Sequence, residues 1–292
     1  MNWPHSKSFF ENALTNVCQN KPQIRTVKSL GGGCINQAVR LSTDAGEYFL
    51  KYNPEKALHF FEVEAKGLQL LANTQTVKVP QVIGYGKTED KAYLVLEFLE
   101  SRYPEAFYWE NFGRQLARLH QHSEQAFGLS YANYIGALPQ ENDWKFTWEE
   151  FFFEKRLNIQ FELALQNGLI DYSYLKKLEK LRSRLVDFFP VEKPSLLHGD
   201  LWSGNAMIGP GGQACVVDPA VYFGHREIEL AFTRLFGGFE PEFYEAYQEV
   251  FPLQQGFEER VDIYNIYPLM VHVNLFGKSY LRGIDTVLQR ML

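Results

Sequence analysis

The hydrophobic pattern of this chain changes character near residue 100, and that change limits the folds open to it. Before residue 100, short runs rich in β-branched and aromatic residues flank one stretch of helical spacing, from Leu58 to Leu71. After it, six longer segments are typical of helices, and we expect only two short strands among them, at 196–197 and 215–218. The sequence therefore predicts an α+β fold, with a small β-rich lobe (residues 1–100) that contains one long helix. A larger, mainly helical lobe (residues 101–292) follows.

The expected order in the first lobe is strand, strand, strand, helix, strand, strand, after a short opening helix. The predicted strands are 24–30, 37–42, 48–52, 81–85 and 92–98. The predicted helices are 9–17, 55–72, 105–122, 147–166, 172–188, 227–236, 242–250 and 258–281.

Composition excludes several classes of protein. The 292 residues contain 29 Lys and Arg against 35 Asp and Glu, a net charge of −6 that offers no general footprint for nucleic acid. Hydrophobic residues make up 46%, which is enough to build a core and excludes a disordered chain. No run approaches the ~18 apolar residues of a membrane span, and the first residues lack the apolar stretch of a secretory signal. We therefore expect neither a nucleic-acid nor a membrane partner.

The cysteines point to the compartment. Cys18, Cys34 and Cys215 are odd in number and far apart, which fits neither a disulfide framework nor the spacing of zinc ligands. We expect a cytoplasmic protein with reduced thiols.

The strongest chemical signal runs from His198 to Asn205 and continues at Asp218. Asp200 and Asn205 are five residues apart, and a tight glycine-containing loop at 209–212 would bring Asn205 close to Asp218. Magnesium takes oxygen ligands from one or two side chains, which suits Asn205 and Asp218. Asp200 then remains available to accept a proton from an attacking hydroxyl. The order and spacing of Asp200, Asn205 and Asp218 match those of the kinase catalytic loop and its metal-binding aspartate. The alternative interpretation is a polar segment of turn-forming residues with no catalytic role.

Lys51 provides independent support for nucleotide binding. It ends the third predicted strand, behind a glycine turn, where a lysine can reach the α- and β-phosphates of ATP. Its expected partner is a carboxylate on the following helix, either Glu62 or Glu64. We favour Glu64, which precedes the apolar face of that helix. The alternative is a solvated lysine with a surface glutamate.

Two further segments are candidates for ATP binding. The turn that contains Gly31, Gly32, Gly33 and Cys34 matches neither the dinucleotide nor the Walker pattern, but its backbone N–H groups could approach phosphates. The alternative is a flexible hairpin tip. Glu97, Phe98 and Leu99 end the last strand of the first lobe, where backbone groups of a kinase bind the adenine edge.

Cys34 carries a separate hypothesis. A thiol exposed near the phosphates could be oxidised, or could link two chains as a redox switch. The alternative is a small residue that fits the turn. The sequence thus leaves open a monomer or a Cys34-linked dimer.

The sequence as a whole resembles the fructosamine (ketoamine) kinase family, within the protein-kinase-like superfamily that includes aminoglycoside and choline kinases. The spacing from Asp200 to Asn205 is shared across that superfamily, whereas the Leu-Trp-Ser-Gly insert at 201–204 and the Gly-His-Arg-Glu segment at 224–227 narrow the resemblance. The matching segments extend over nearly the whole chain: 31–35, 49–51, 61–64, 77–80, 198–205, 218–220, 222–231, 236–239, 243–247 and 276–277.

The resemblance implies a protein-kinase-like fold and Mg2+- and ATP-dependent phosphorylation of the sugar 3-hydroxyl of ketoamines, on small amines or glycated proteins. The 3-phosphate then decomposes and frees the amine. It further implies the roles of the matching residues: Asp200 as catalytic base, Asn205 and Asp218 as metal ligands, Lys51 with Glu64 as the phosphate-positioning pair, and Trp202 as a wall of the sugar pocket.

Several alternatives stay open at this stage. Glu227 or Glu229 could attract the protonated secondary amine of the substrate, or could cap a helix. The acceptor could be an aminoglycoside, a choline-like alcohol or another small hydroxyl compound. A non-catalytic nucleotide-binding module is a third function, although no catalytic position is missing.

Overall fold

The computed structural model describes residues 7–31, 36–100 and 103–291. The chain forms two compact units, one of residues 1–108 with 207–219 and one of residues 109–206 with 220–292. The predicted α+β class is confirmed, with an antiparallel sheet in the first unit and mainly helices in the second. No helix within the described ranges is long and apolar enough to span a bilayer.

The strands are β1 (Ile24–Leu30), β2 (Gln37–Thr43), β3 (Glu47–Pro54), β4 (Val82–Thr88), β5 (Lys91–Glu97), β6 (Asn133–Ile135), β7 (Leu138–Gln140), β8 (Ser195–Leu197), β9 (Ala206–Ile208), β10 (Ala214–Val216) and β11 (Tyr222–Gly224). The helices are α1 (Lys7–Val17), α2 (Leu58–Asn73), α3 (Tyr108–His120), α4 (Trp148–Phe151), α5 (Asn158–Gln166), α6 (Tyr172–Arg182), α7 (Leu185–Phe188), α8 (Arg226–Thr233), α9 (Pro241–Val250), α10 (Phe257–Phe276) and α11 (Leu281–Met291). A π-helical turn, Phe152–Leu157, joins α4 to α5.

The first unit is built on a five-stranded antiparallel sheet in the order β1-β2-β3-β5-β4. The predicted order of its elements is confirmed. The buried side of α1, which includes Phe9, Phe10 and Leu14, packs into one core with sheet residues such as Val39 and Leu50. The other helix of this unit, α2, packs against β4 and β5. The central strand β3 therefore has ordered neighbours on both edges, which fixes the position of the residues it carries.

A hairpin from late in the chain completes the first unit. Strands β9 and β10 pair with each other, and Gly209 N–H donates to the carbonyl of Gln213 at 2.8 Å to close the turn. Val216 N–H in turn donates to the carbonyl of Lys78 at 2.9 Å. The first unit thus includes residues 207–219 in addition to the N-terminal part of the chain. The assignment of residues 1–100 to nucleotide binding and of residues 101–292 to catalysis and substrate binding stays a prediction.

The chain after residue 100 contains more strands than expected. The prediction of only two short strands after residue 100 is wrong, because the described residues there form six, each three residues long. Strands of this length show no measurable period, so sequence alone does not reveal them. One of these pairs matters for the site: β8 pairs with β11, with Leu197 opposite Tyr222. The expected helix at 258–281 is also divided, because Gly277, with φ +100°, ends α10 at Phe276.

Close packing of α3 on α9 yields a stability prediction. A Cβ atom at Gly113 would lie 2.1 Å from the backbone carbonyl oxygen of Phe243, which cannot rotate away. We expect Gly113→Ala to lower the free energy of unfolding by about 2 kcal/mol, the usual cost of overpacking.

The matched control is Gly283→Ala in α11. There the added Cβ meets the two terminal methyl groups of Leu269, Cδ1 at 3.1 Å and Cδ2 at 3.8 Å, and a side-chain end can shift. Because alanine also favours the helix, we expect a change within about 1 kcal/mol of zero. Urea unfolding of both variants checks the pair; equal effects would contradict the proposed packing constraint.

Candidate active site

In the first unit, a buried lysine is held between two carboxylates. Lys51 Nζ donates to Glu64 Oε1 at 2.7 Å and to Asp218 Oδ1 at 2.5 Å. The expected pair of Lys51 with Glu64 is therefore present. Glu62, the alternative partner, accepts instead from Lys66 on the surface. Strand β3 supplies the lysine, α2 the glutamate, and the segment after β10 the aspartate.

The charge of Lys51 is maintained by these partners. Burial alone would disfavour the ammonium, but the negative charges and hydrogen bonds of Glu64 and Asp218 outweigh it, so the pKa of Lys51 is raised above its usual value. Lys51 is thus a fixed cation at neutral pH. Glu64 is buried like Lys51, whereas the side chain of Asp218 is 51% exposed and offers its carboxylate to a ligand.

The backbone at Asp218 is unusual for a residue with a side chain. Its φ of +56° lies in the left-handed region, which aspartate tolerates better than most residues. Such conformations cost free energy and concentrate at functional sites. This geometry supports the assignment of Asp218 as a functional residue.

In the second unit, Asp200 and Asn205 are joined directly. Asn205 Nδ2 donates to the Asp200 carbonyl at 2.8 Å and to Asp200 Oδ2 at 2.9 Å. Since both acceptors belong to Asp200, the amide nitrogen must be the atom that faces it. The amide oxygen of Asn205 is then left for another donor or a cation.

The loop that carries Asp200 depends on a glycine. Gly199 has a φ of +85°, and a Cβ atom there would lie 2.0 Å from the carbonyl oxygen of Ala220. Ala220 N–H donates to the His198 carbonyl at 2.9 Å, which holds the two chain segments side by side. Only glycine fits at this position, which explains the His-Gly-Asp sequence.

Glu229 anchors the same loop from α8. Its carboxylate accepts from the backbone N–H groups of Gly199 at 2.6 Å and His198 at 3.1 Å, and it contacts His120 Nε2 at 2.9 Å. The hydroxyl of Tyr247 lies 2.8 Å from the other ring nitrogen of His120. Burial alone would raise the pKa of Glu229, but the hydrogen bond and charge of His120, with smaller effects from His198 and Gly199, lower it.

The expectation that Glu227 or Glu229 attracts a substrate amine stays a prediction, and the structure shows which contacts the two acids make within the protein. Glu229 is engaged by His120 and by the backbone N–H groups of His198 and Gly199. Glu227 is completely buried. Both Glu227 oxygens accept from Arg260, at 2.6 Å each, and Tyr264 adds a hydrogen bond at 3.2 Å. Both acids thus form hydrogen bonds within the protein. The anchoring role of Glu229 could have been suspected only from an acid placed within the apolar run Ile228–Ala231.

A cavity of the second unit opens onto Asp200. The residues that line it are Ile135, Leu197, Gly199, Asp200, Tyr222, Ile228, Glu229, Phe232, Tyr267, Pro268, Val271 and His272. Trp202 is not among them. Its ring packs over Gly204, where an added Cβ would lie 2.4 Å from the indole, and against Phe236 at 6.3 Å between ring centroids.

The remaining predicted ATP-binding residues are only partly described. Glu97 at the end of β5 accepts from Lys78 Nζ at 3.0 Å, and Arg40 lies 4.3 Å above the ring of Phe98. Leu99 is buried. Gly31 has open space where a Cβ would stand. The predictions on Gly32, Gly33 and Cys34, including the redox switch, fall outside the described residues.

A model of the fructosamine kinase family matches residues 7–292. The chain belongs to this family. It is 40% identical over 274 residues to a probable ketoamine kinase of Vibrio parahaemolyticus, with 92% of this chain and 93% of that protein covered. This fructosamine kinase family member is thus an ATP-dependent phosphotransferase.

Solved structures agree with this membership. A Haemophilus somnus protein described as a putative fructosamine-3-kinase is 29% identical with a TM-score of 0.89, and 98% of this chain and 97% of that one are covered. The choline kinase LicA of Streptococcus pneumoniae, 16% identical with a TM-score of 0.62 over 98% of each chain, shares the fold. The predicted protein-kinase-like fold is confirmed.

The Glu229 anchor predicts a pH-dependent stability difference. Replacement by glutamine removes a buried charge that accepts from a histidine and two N–H groups, so we expect Glu229→Gln to be about 3 kcal/mol less stable at pH 7. Because the folded-state pKa lies below the ordinary 4.5, the carboxylate contributes fully above pH 4.5. Its contribution is lost as pH falls through the folded pKa, so the gap between variant and wild type should narrow below pH 4.5.

Urea unfolding between pH 3.5 and 7 measures this gap. Glu249→Gln is the control, since Glu249 pairs with Arg114 on the surface and is 60% exposed. We expect that variant to change stability by no more than about 0.5 kcal/mol. A Glu229→Gln gap that stayed constant down to the lowest pH would contradict the assignment.

Proposed function

We propose that this kinase transfers the γ-phosphoryl group of ATP to the 3-hydroxyl of ketoamines, carried by small amines or glycated proteins. Fructosamines, ribulosamines and erythrulosamines are the candidate substrates. The observation that carries the proposal is that Asp200, which lines the cavity, is hydrogen-bonded by Asn205, in a chain of the fructosamine kinase family. The names of its relatives, ketoamine kinase and fructosamine-3-kinase, support the acceptor class.

Asp200 is proposed as the catalytic base. As the 3-hydroxyl oxygen attacks the γ-phosphorus, a new P–O bond forms, the bond to the ADP oxygen breaks, and the hydroxyl proton passes to the Asp200 carboxylate. The hydrogen bond from Asn205 at 2.9 Å fixes one carboxylate oxygen, which orients the other. The anchored backbone of Gly199 prevents this loop from shifting as charge develops.

Lys51 and Glu64 are proposed to position the phosphates of ATP. Lys51 is a fixed cation with limited freedom, because two carboxylates hold its ammonium group. A positively charged group that needs no reorganisation is suited to phosphate binding. Gly31, Gly32, Gly33 and Cys34 remain proposed contacts to the phosphates, and the backbone of 97–99 remains the proposed adenine contact.

Asn205 and Asp218 are proposed to hold Mg2+. The amide oxygen of Asn205 and the half-exposed carboxylate of Asp218 are the hard oxygen donors that this ion prefers. When bound, Mg2+ neutralises charge on the phosphates during transfer.

Phosphorylation at the 3-position explains deglycation. The phosphate ester on carbon 3 is a good leaving group next to the C2 carbonyl. Enolisation towards carbon 1 allows elimination of phosphate, and water then hydrolyses the resulting imine to release the amine.

Trp202 is proposed to stack on the sugar. Because Gly204 has no side chain, the indole of Trp202 can lie close over the Gly204 backbone, where an added Cβ would be 2.4 Å from the ring.

Transfer of labelled phosphate from ATP across a panel of acceptors tests the substrate class. We expect ribulose-lysine, fructose-lysine or erythrulose-lysine to be phosphorylated, with product that releases free lysine on standing. Choline and aminoglycosides are the matched alternatives. Turnover confined to choline or an aminoglycoside would refute the ketoamine proposal and leave the kinase assignment intact.

Asp200→Asn tests the base. Asparagine keeps the shape of the side chain but cannot take the proton, so we expect kcat to fall by about 10²–10⁴-fold. The Kd for ATP should stay within about twofold because Lys51 and Glu64 are unchanged. Calorimetry and initial rates measure the two constants, and retained transfer at the wild-type rate would remove Asp200 from the assigned role.

A further inference from the structure

One face of α10 contributes a polar group to the cavity. Pro268, Val271 and His272 all line it, and their spacing of three and four residues places them on one side of the helix. Asp200 and Glu229 line the same cavity. Of the α10 residues there, His272 is the one with an imidazole that can exchange hydrogen bonds with a ligand.

The hydrogen bond to Pro268 fixes the tautomer of His272. Its Nδ1 atom lies 2.7 Å from the Pro268 carbonyl oxygen, which can only accept, so Nδ1 carries the proton. Burial lowers the pKa of His272 below its usual value, partly offset by that hydrogen bond, so the ring is neutral at pH 7. Nε2 is therefore an acceptor.

Aromatic rings hold this imidazole in place. The ring centroids of Phe236, Tyr280 and Phe276 lie 4.6, 5.0 and 5.5 Å from that of His272. Phe236 also contacts Trp202. A ring held on several sides loses little entropy when it binds a ligand, which favours a recognition role.

The other polar side chains of the cavity are already engaged. Tyr267 donates to Gln140 Oε1 at 2.6 Å, and the guanidinium of Arg156 lies over the ring of Tyr222, 4.0 Å from its centroid. Glu229 accepts from His120 and the loop backbone. Asp200 accepts from Asn205. In the part of the chain that the structure describes, His272 Nε2 has no hydrogen bond to a protein group. It is therefore the acceptor in this cavity best placed to bind a substrate.

We propose that His272 is a substrate-binding residue whose Nε2 accepts a hydrogen bond from the ketoamine. The donor is a sugar hydroxyl or the protonated secondary amine, both of which an imidazole acceptor recognises. This inference rests on the proposed function, because it assigns a contact to the same acceptor substrate.

Three substitutions of His272 test the contact, because they differ in whether they keep a hydrogen-bond acceptor at the position of Nε2. His272→Phe keeps the ring without nitrogen, and His272→Asn keeps a donor to Pro268 without an acceptor at the position of Nε2. We expect both to raise KM for the ketoamine about tenfold, the value of one hydrogen bond of about 1.4 kcal/mol, with kcat and KM for ATP within about twofold. His272→Gln, whose amide oxygen can reach the position of Nε2, should restore KM to within about threefold of wild type.

A comparison of substrates identifies the donor. With a free ketose, which lacks the amine, the penalty of His272→Asn should vanish if the amine is the donor and persist if a hydroxyl is. Either result supports the contact. Thermal unfolding of each variant shows that it is folded.

Two negative outcomes are distinguishable. If the wild type phosphorylates ketoamines but His272→Phe and His272→Asn keep its KM, or raise KM for ATP equally, the inference fails and the proposed function stands. If the wild type phosphorylates no ketoamine, both fail.

Discussion

The loop that carries Asp200 depends on a carboxylate buried within the second unit. With its side chain only 1% exposed, Glu229 has no water to solvate its charge, so its stability depends on the donors around it. Those donors come from α3, through His120, and from the backbone of His198 and Gly199. If the carboxylate were missing, two loop N–H groups would lose their acceptor. The conformation of the loop that carries Asp200 thus depends on the ionised state of Glu229.

Glu227 and Glu229 show that local sequence does not reveal the partners of a buried acid. They are two positions apart on α8, so they lie on different sides of the helix and meet different neighbours. Arg260, 33 positions further along the chain, engages Glu227, whereas His120, more than a hundred positions earlier, engages Glu229. No motif spacing encodes such distant contacts. For this reason the sequence predicted a substrate contact or a helix cap for Glu227 or Glu229, and their contacts with Arg260 and His120 became visible only in the structure.

Where a role depends on a strand end or a local turn, sequence was sufficient. The order of elements in the first unit, the ion pair of Lys51 with Glu64 and the hairpin before Asp218 were all predictable, because hydrophobic period and glycine placement encode them locally. The three-residue strands were not, since they are too short to show a period. His272 was equally hidden, because only the packing of α10 places it beside the cavity.

The hairpin β9–β10 means that the first unit is completed late during synthesis of the chain. The sheet and its two helices lie within residues 1–108, but the segment that brings Asp218 to Lys51 ends at residue 219. On a ribosome, about 110 residues of the second unit and the hairpin must be translated in between, which takes roughly 5–20 s at usual rates. During that interval Lys51 has Glu64 as its only carboxylate partner of the two. The nascent first unit therefore lacks the Asp218 carboxylate, the second partner of Lys51, until the hairpin has been synthesised.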